Sequence, residues 1–145
     1  NYEIFLFTAS PYLEGMSNQG LKYDYIFGDP GRVGLSYLST GVQLMRFREQ
    51  SYLAIPAELC VGTSVKNILS LHAGAGGIIH TGGQYLQPAI FFTIHSKLRI
   101  KFGKSPMFMD LEFRGLNSYA YGNSNGRRSG SAFSPGAGLS FGAYF

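Results

Sequence analysis

Three histidines, one cysteine and a set of alternating charges are the residues of this chain that could do chemistry. Nucleophilic catalysis needs a Ser or Cys beside a positioned His and an orienting carboxylate. His95 and Ser96 are adjacent, and adjacent residues of a strand point to opposite faces, so they form no dyad. Ser70 and His72 are two apart and share a face, so these two could meet. His80 falls at a strand end and is expected in solvent. The lone Cys60 has no disulfide partner and is expected as a small packed side chain. The histidines sit on different strands or at strand ends, and no Cys/His spacing resembles a closed site, so neither metal nor cofactor is expected.

The charges carry a stronger signal. From Leu86 to Phe102 one parity reads Leu86, Pro88, Ile90, Phe92, Ile94, Ser96, Leu98, Ile100 and Phe102, while the other ends in His95, Lys97, Arg99 and Lys101. After the turn Gly103-Lys104-Ser105-Pro106, Met107, Met109, Leu111 and Phe113 alternate with Phe108, Asp110, Glu112 and Arg114. A basic face therefore lies across a hairpin from an acidic one. Burying an ion costs several kcal/mol unless it is paired, so complementary signs predict a buried network. Its expected members are Glu58, His72, His95, Lys97, Arg99, Lys101, Asp110, Glu112 and Arg114, with Gln43 nearby. Because the basic residues alternate within a strand, they form no continuous nucleic-acid surface, and no nucleic-acid partner is expected despite the net charge of +4.

These residues need strands to position them. Leu53, Ile55, Ala57, Leu59 and Val61 alternate with Tyr52, Ala54, Pro56, Glu58, Cys60 and Gly62. Ile68 to Ile79 sets Leu69, Leu71, Ala73, Ala75 and Gly77 against Ser70, His72, Gly74 and Gly76. Phe133 to Phe145 repeats the pattern with Ser134, Gly136, Gly138, Ser140, Gly142 and Tyr144 on its second face. Tyr2 to Leu13, Leu21 to Gly28, Arg32 to Phe47 and Met107 to Arg114 complete eight strands. The short links are Asp29-Pro30-Gly31, Arg48-Glu49-Gln50, Thr63 to Lys66, Thr81 to Gln84 and Gly103 to Pro106. Gly15 to Gly20 and Tyr121 to Ser131 are looser polar stretches. An even strand number puts both termini on one side and loop 121–131 on the other.

Composition narrows the class. With 145 residues, 45% hydrophobic, 15% aromatic and 14% charged, the chain is one domain over 1–145 and has neither the charge of a disordered tail nor the cysteines of a disulfide scaffold. No apolar run reaches the ~18 residues of a spanning helix. No signal-peptide pattern opens the sequence at Asn1, so the compartment must be argued from the fold.

Eight alternating antiparallel strands make either a soluble barrel, apolar within, or a membrane barrel, apolar without. The second face decides between them. On Ile68–Ile79 and Phe133–Phe145 it holds Gly, Ser and one His, too small and uncharged for a water-facing surface but suited to a narrow lumen, where glycines make room for long side chains from across the barrel. The tyrosines, Tyr2, Tyr12, Tyr23, Tyr25, Tyr37, Tyr52, Tyr85, Tyr119, Tyr121 and Tyr144, fall near strand ends, as an interfacial girdle requires. The expected fold is an all-β, closed antiparallel up-and-down transmembrane β-barrel of eight strands. Such a barrel leaves an interior about wide enough for side chains alone, so the lumen is expected to be plugged, with a small-solute pore as the alternative.

The segment Gly138-Leu139-Ser140-Phe141-Gly142-Ala143-Tyr144-Phe145 resembles the closing-strand signal of bacterial outer-membrane β-barrels, carried by Leu139, Phe141, Tyr144 and Phe145. Tyr52 to Leu59, followed by Leu69 to Gly76, is similar to central strands of the eight-stranded, porin-like OmpA/OmpX-like barrel family. The resemblance covers the chain from about Arg32 onward; the absence of Trp from the girdles departs from the family's pattern. It implies a bacterial outer-membrane location, periplasmic termini and an extracellular loop 121–131. It also implies partners: outer-membrane lipid, the barrel-assembly machinery during insertion, and other outer-membrane subunits. The expected function is non-enzymatic, as a structural or accessory subunit of an outer-membrane secretion or assembly complex, or a loop-presenting surface protein. The alternatives are a lipid-modifying hydrolase using Ser70 and His72, and a soluble ligand-binding barrel.

Overall fold

The computed structural model describes residues 2–11, 17–27, 34–47, 50–81, 89–117 and 133–144. They form eight strands: β1 (Tyr2–Pro11), β2 (Ser17–Phe27), β3 (Leu35–Phe47), β4 (Gln50–Lys66), β5 (Leu69–His80), β6 (Ala89–Lys101), β7 (Met107–Asn117) and β8 (Phe133–Tyr144). Each pairs antiparallel with the next, and β1 also pairs with β8, so the strand order returns on itself as a barrel. Closure leaves no ladder of unpaired backbone groups along an edge.

The alternation in the sequence becomes an inside and an outside. Along β4, Tyr52, Ala54, Pro56, Glu58, Cys60 and Gly62 are buried, while Leu53, Ile55, Leu59 and Val61 are exposed. Leu59 is 64% exposed and Phe113 on β7 also 64%, whereas Arg99, Asp24 and Asp110 are 0% exposed. The molecule is therefore inside-out relative to a water-soluble barrel. From Leu53 to Val61 the apolar stripe runs about 26 Å at ~3.3 Å per residue, or roughly 20 Å when tilted as membrane strands are.

Several strand limits differ from the sequence expectation. β2 begins at Ser17, inside the stretch expected as loose, because Ser17–Gly20 pairs with Gln43–Arg46 of β3 and the inward Asn18 amide donates to the Gln43 side-chain carbonyl at 2.5 Å. Thr63–Lys66, expected as a link, continues β4, and the turn is Asn67–Ile68. Both faces of β4 are exposed from Thr63 on, which removes the alternation that marks a half-buried strand. β7 runs to Asn117, with Gly115–Asn117 paired to Phe133–Pro135. Gln50 opens β4, while 48–49, 82–88 and 118–132, including loop 121–131, lie outside the described residues. The Gly103 turn stands as expected, with Gly103 at φ 59°, a left-handed conformation that favours glycine.

Pro56 interrupts the β3–β4 ladder, which skips Gly41–Val42 opposite Ile55–Pro56. Proline has no N–H to give. The hydroxyl of Thr40 donates to the Pro56 carbonyl at 2.8 Å and bridges the gap.

Candidate functional site: the ion-paired lumen

The inward faces of β2, β4, β6 and β7 build the charged interior. Register sets the neighbours: Arg99 opposite Asp110, Lys97 opposite Glu112, and His95 opposite Arg114. Arg99 donates from Nε to Asp110 Oδ1 at 2.8 Å and from Nη2 to Asp110 Oδ2 at 2.9 Å, a bidentate pair. Its guanidinium carbon lies 3.8 Å from the centre of the Phe108 ring, and its Nη1 donates to the Tyr144 hydroxyl at 3.4 Å. Arg114 donates from Nε to Glu112 at 2.6 Å and from both terminal nitrogens to Glu58, with Nη2 to Oε2 at 3.0 Å. The Lys97 ammonium lies 4.0 Å from Glu112.

The structure thus joins Glu58, Lys97, Arg99, Asp110, Glu112 and Arg114. Three expected members behave differently. His72 bonds hydroxyls rather than carboxylates: its Nε2 is 2.9 Å from Ser70 Oγ and its Nδ1 is 3.2 Å from the Tyr37 hydroxyl. The reason is position, since His72 stands opposite Gly62 and Lys97, neither of which offers an acid. His95 joins through its own pair, with Nδ1 3.5 Å from Glu58 and Nε2 3.5 Å from Cys60 Sγ. Lys101 reaches the mouth of the lumen, where its ammonium lies 5.3 Å from the centre of the Tyr144 ring.

Two further charges belong to the network. Lys22 donates to Glu112 at 3.1 Å, and Asp24 lies 3.6 Å from Arg99. Their signal was present in the sequence, where Gly20, Lys22 and Asp24 alternate with Leu21, Tyr23 and Tyr25. Both lie inside the strand expected from Leu21 to Gly28, and their partners, Glu112 on β7 and Arg99 on β6, are set by tertiary structure rather than by spacing.

Glycines seat the histidines. A Cβ on Gly62 would strike the His72 ring, and one on Gly74 would lie 2.5 Å from the His95 ring and 2.6 Å from Cys60 Sγ. The room they make is for rings on the adjacent strand, closer than the cross-barrel side chains expected. Cys60 is buried, as its packed role requires.

Above the charges, at the end opposite the termini, Met45, Tyr52, Ala54, Ile78, Phe91 and Leu116 form a buried apolar cluster. His80 joins it: the ring is 2% exposed and stacks on Phe91 at 4.6 Å, contrary to the expectation that it is solvated. The last inward residue of β5, it stands opposite Ala54 and between Tyr52 and Phe91, within that cluster. Tyr37 and Tyr52 also point inward, and Tyr144 packs 5.0 Å from the Phe108 ring inside the mouth, so these three do not belong to an outward girdle. Tyr25 does face out. Of the closing-strand residues, Leu139 and Phe141 face out, Tyr144 faces in, and Phe145 lies outside the described residues.

An apolar wall around an ion-paired interior defines the class: the chain has the fold of a transmembrane β-barrel. Solved structures share it. The N-terminal β-barrel domain of Pseudomonas aeruginosa OprF matches with a TM-score of 0.72 and 16% identity, over 99% of this chain and 96% of that one. A de novo designed transmembrane β-barrel matches with a TM-score of 0.69 and 10% identity, over 98% of this chain and 93% of that one. At these identities the likeness is one of fold, and the resemblance to outer-membrane barrels holds at that level. No family profile matches the chain, and no curated protein does.

Proposed function

We propose that this chain is a non-enzymatic integral barrel of a bacterial outer membrane, closed by eight strands and plugged by its own side chains. In this reading it serves as a structural or accessory subunit of an outer-membrane secretion or assembly complex, or as a surface protein presenting its loops. Its termini face the periplasm and segment 121–131 faces outward. Lipid surrounds the wall, and the barrel-assembly machinery inserts it.

One observation carries the plugged lumen: Arg114 on β7 bridges to Glu58 on β4 beneath the apolar cluster of Met45, Ile78, Phe91 and Leu116. Two successive barriers, one ionic and one dry, oppose a continuous water path. The experiment is single-channel recording in planar bilayers of protein whose gel mobility is heat-modifiable. The expected record has no unitary conductance, and steady cation or anion steps would establish a pore instead.

The Ser70–His72 hydrogen bond favours a second reading as a hydrolase. Its base is oriented by the Tyr37 hydroxyl where a triad has a carboxylate, and both side chains are buried inside rather than on the lipid wall. Covalent labelling of Ser70 by a fluorophosphonate in the folded barrel would support it.

A further inference from the structure

Two hairpins meet at one corner of the rim on the terminus side. β4 and β5 turn at Asn67–Ile68, β6 and β7 turn through 102–106, and the Lys101 N–H donates to the Ile68 carbonyl at 2.8 Å, holding the two tips together. Lys66 and Lys104 are exposed at this corner, and Lys101 lies half-buried at the adjoining mouth of the lumen. Between Glu58 and Asp110 the sequence has no acidic residue, while it has Lys66, Lys97, Arg99, Lys101 and Lys104. The two flanking carboxylates are committed inside, Glu58 to Arg114 and Asp110 to Arg99. The positive charge of the corner is therefore not balanced by acids on its own strands.

Beside the lysines stand exposed apolar side chains: Val65, Ile68, Phe102 and Met107, each between 43% and 52% exposed. A water-facing turn mixes acids among its lysines and hides its large apolar groups. Here cations sit at the tips and apolar groups flank them, an arrangement that matches a membrane interface, where lysine stems lie along acyl chains and the ammonium groups reach the headgroups.

We propose that this corner binds the phosphate of an anionic phospholipid in the leaflet on the terminus side, with Lys66 and Lys104 as the charge contacts and Ile68, Phe102 and Met107 against the acyl chains. This rests on the membrane reading above. It adds a site of defined lipid class to a wall that otherwise takes any acyl chain.

The test compares the intact protein with the K66Q/K104Q variant, whose changed side chains are exposed and outside the ion-paired lumen. Each is inserted into phosphatidylcholine vesicles with and without phosphatidylglycerol, and insertion is verified by heat-modifiable mobility. Lipids retained after gentle detergent extraction are counted by native mass spectrometry. The expected result is retention of phosphatidylglycerol over phosphatidylcholine by roughly tenfold, lost in the variant and unchanged by added inorganic phosphate. Equal retention of the two lipids by the parent protein overturns the site while leaving the barrel in the membrane. Displacement of the lipid by inorganic phosphate at millimolar concentration overturns it in favour of a free-anion site. Failure to insert into either vesicle overturns the membrane reading, and the site with it.

Discussion

Arg114 and Glu58 lie on strands three apart in the barrel and 56 residues apart in the chain, yet both terminal nitrogens of the arginine bond the two carboxylate oxygens. The same guanidinium holds Glu112 through Nε and Thr93 through Nη1 at 3.2 Å. One side chain thus spans the interior and bonds two buried acids, with Lys22 supplying a second cation to Glu112.

Removing it should expose that dependence. Arg114→Met leaves Glu58 without its guanidinium in a buried site, and the expected loss is about 3–5 kcal/mol. Glu58→Met combined with Arg114→Met should recover a large part of it, because Glu112 keeps Lys22 and Lys97. Urea unfolding in vesicles, followed by heat-modifiable gel mobility, measures both. A double variant as unstable as the single one would contradict the pairing.

Gly74 offers a steric test. The Cβ of Gly74→Ala lands against the His95 ring and Cys60 Sγ, so the expected cost is about 1–3 kcal/mol. Ala73→Val adds bulk on the exposed side of the same strand and should change stability little. Equal effects in the same unfolding assay would mean that the two faces are not distinct.

The wall can be read by charge. Leu59→Arg places a cation on the outer face, where a lipid environment should cost about 2–4 kcal/mol near the bilayer midplane and less toward the interfaces. The unfolding midpoint in vesicles reports this. A variant as stable as the parent would place that face in water.

Cys60 is a built-in probe of whether the lumen is plugged. Its sulfur is buried between His95 and Gly74, so a polar maleimide should leave the folded barrel unlabelled and react fully after heating in dodecyl sulfate. Mass spectrometry of the two samples decides it. Rapid labelling of the folded form would reveal a water-filled path to the middle of the barrel.

Much of this was legible along the chain because a strand's period of two writes its two environments directly into neighbouring residues. The wall of β4 and the facing charges of β6 and β7 could be read from Leu53–Gly62, His95–Lys101 and Asp110–Arg114 without coordinates. β2 was less legible, since Asn18 looks like a loop residue until its partner Gln43 is known. The rim residues Thr63–Lys66 were hidden for the opposite reason, as both of their faces are exposed and no alternation remains.

By itself the sequence determined which residues share a face, and hence a barrel with an apolar wall and a polar interior, because alternation is a local property of extended backbone. Only the tertiary structure decided which charge meets which. Glu58 finds Arg114 across the lumen, Lys22 finds Glu112 from β2, and His72 turns to Ser70 and Tyr37. Those choices depend on stagger and closure, which bring distant strands to one level of the lumen. They depend also on where a missing Cβ, as at Gly62 and Gly74, lets a ring lie down.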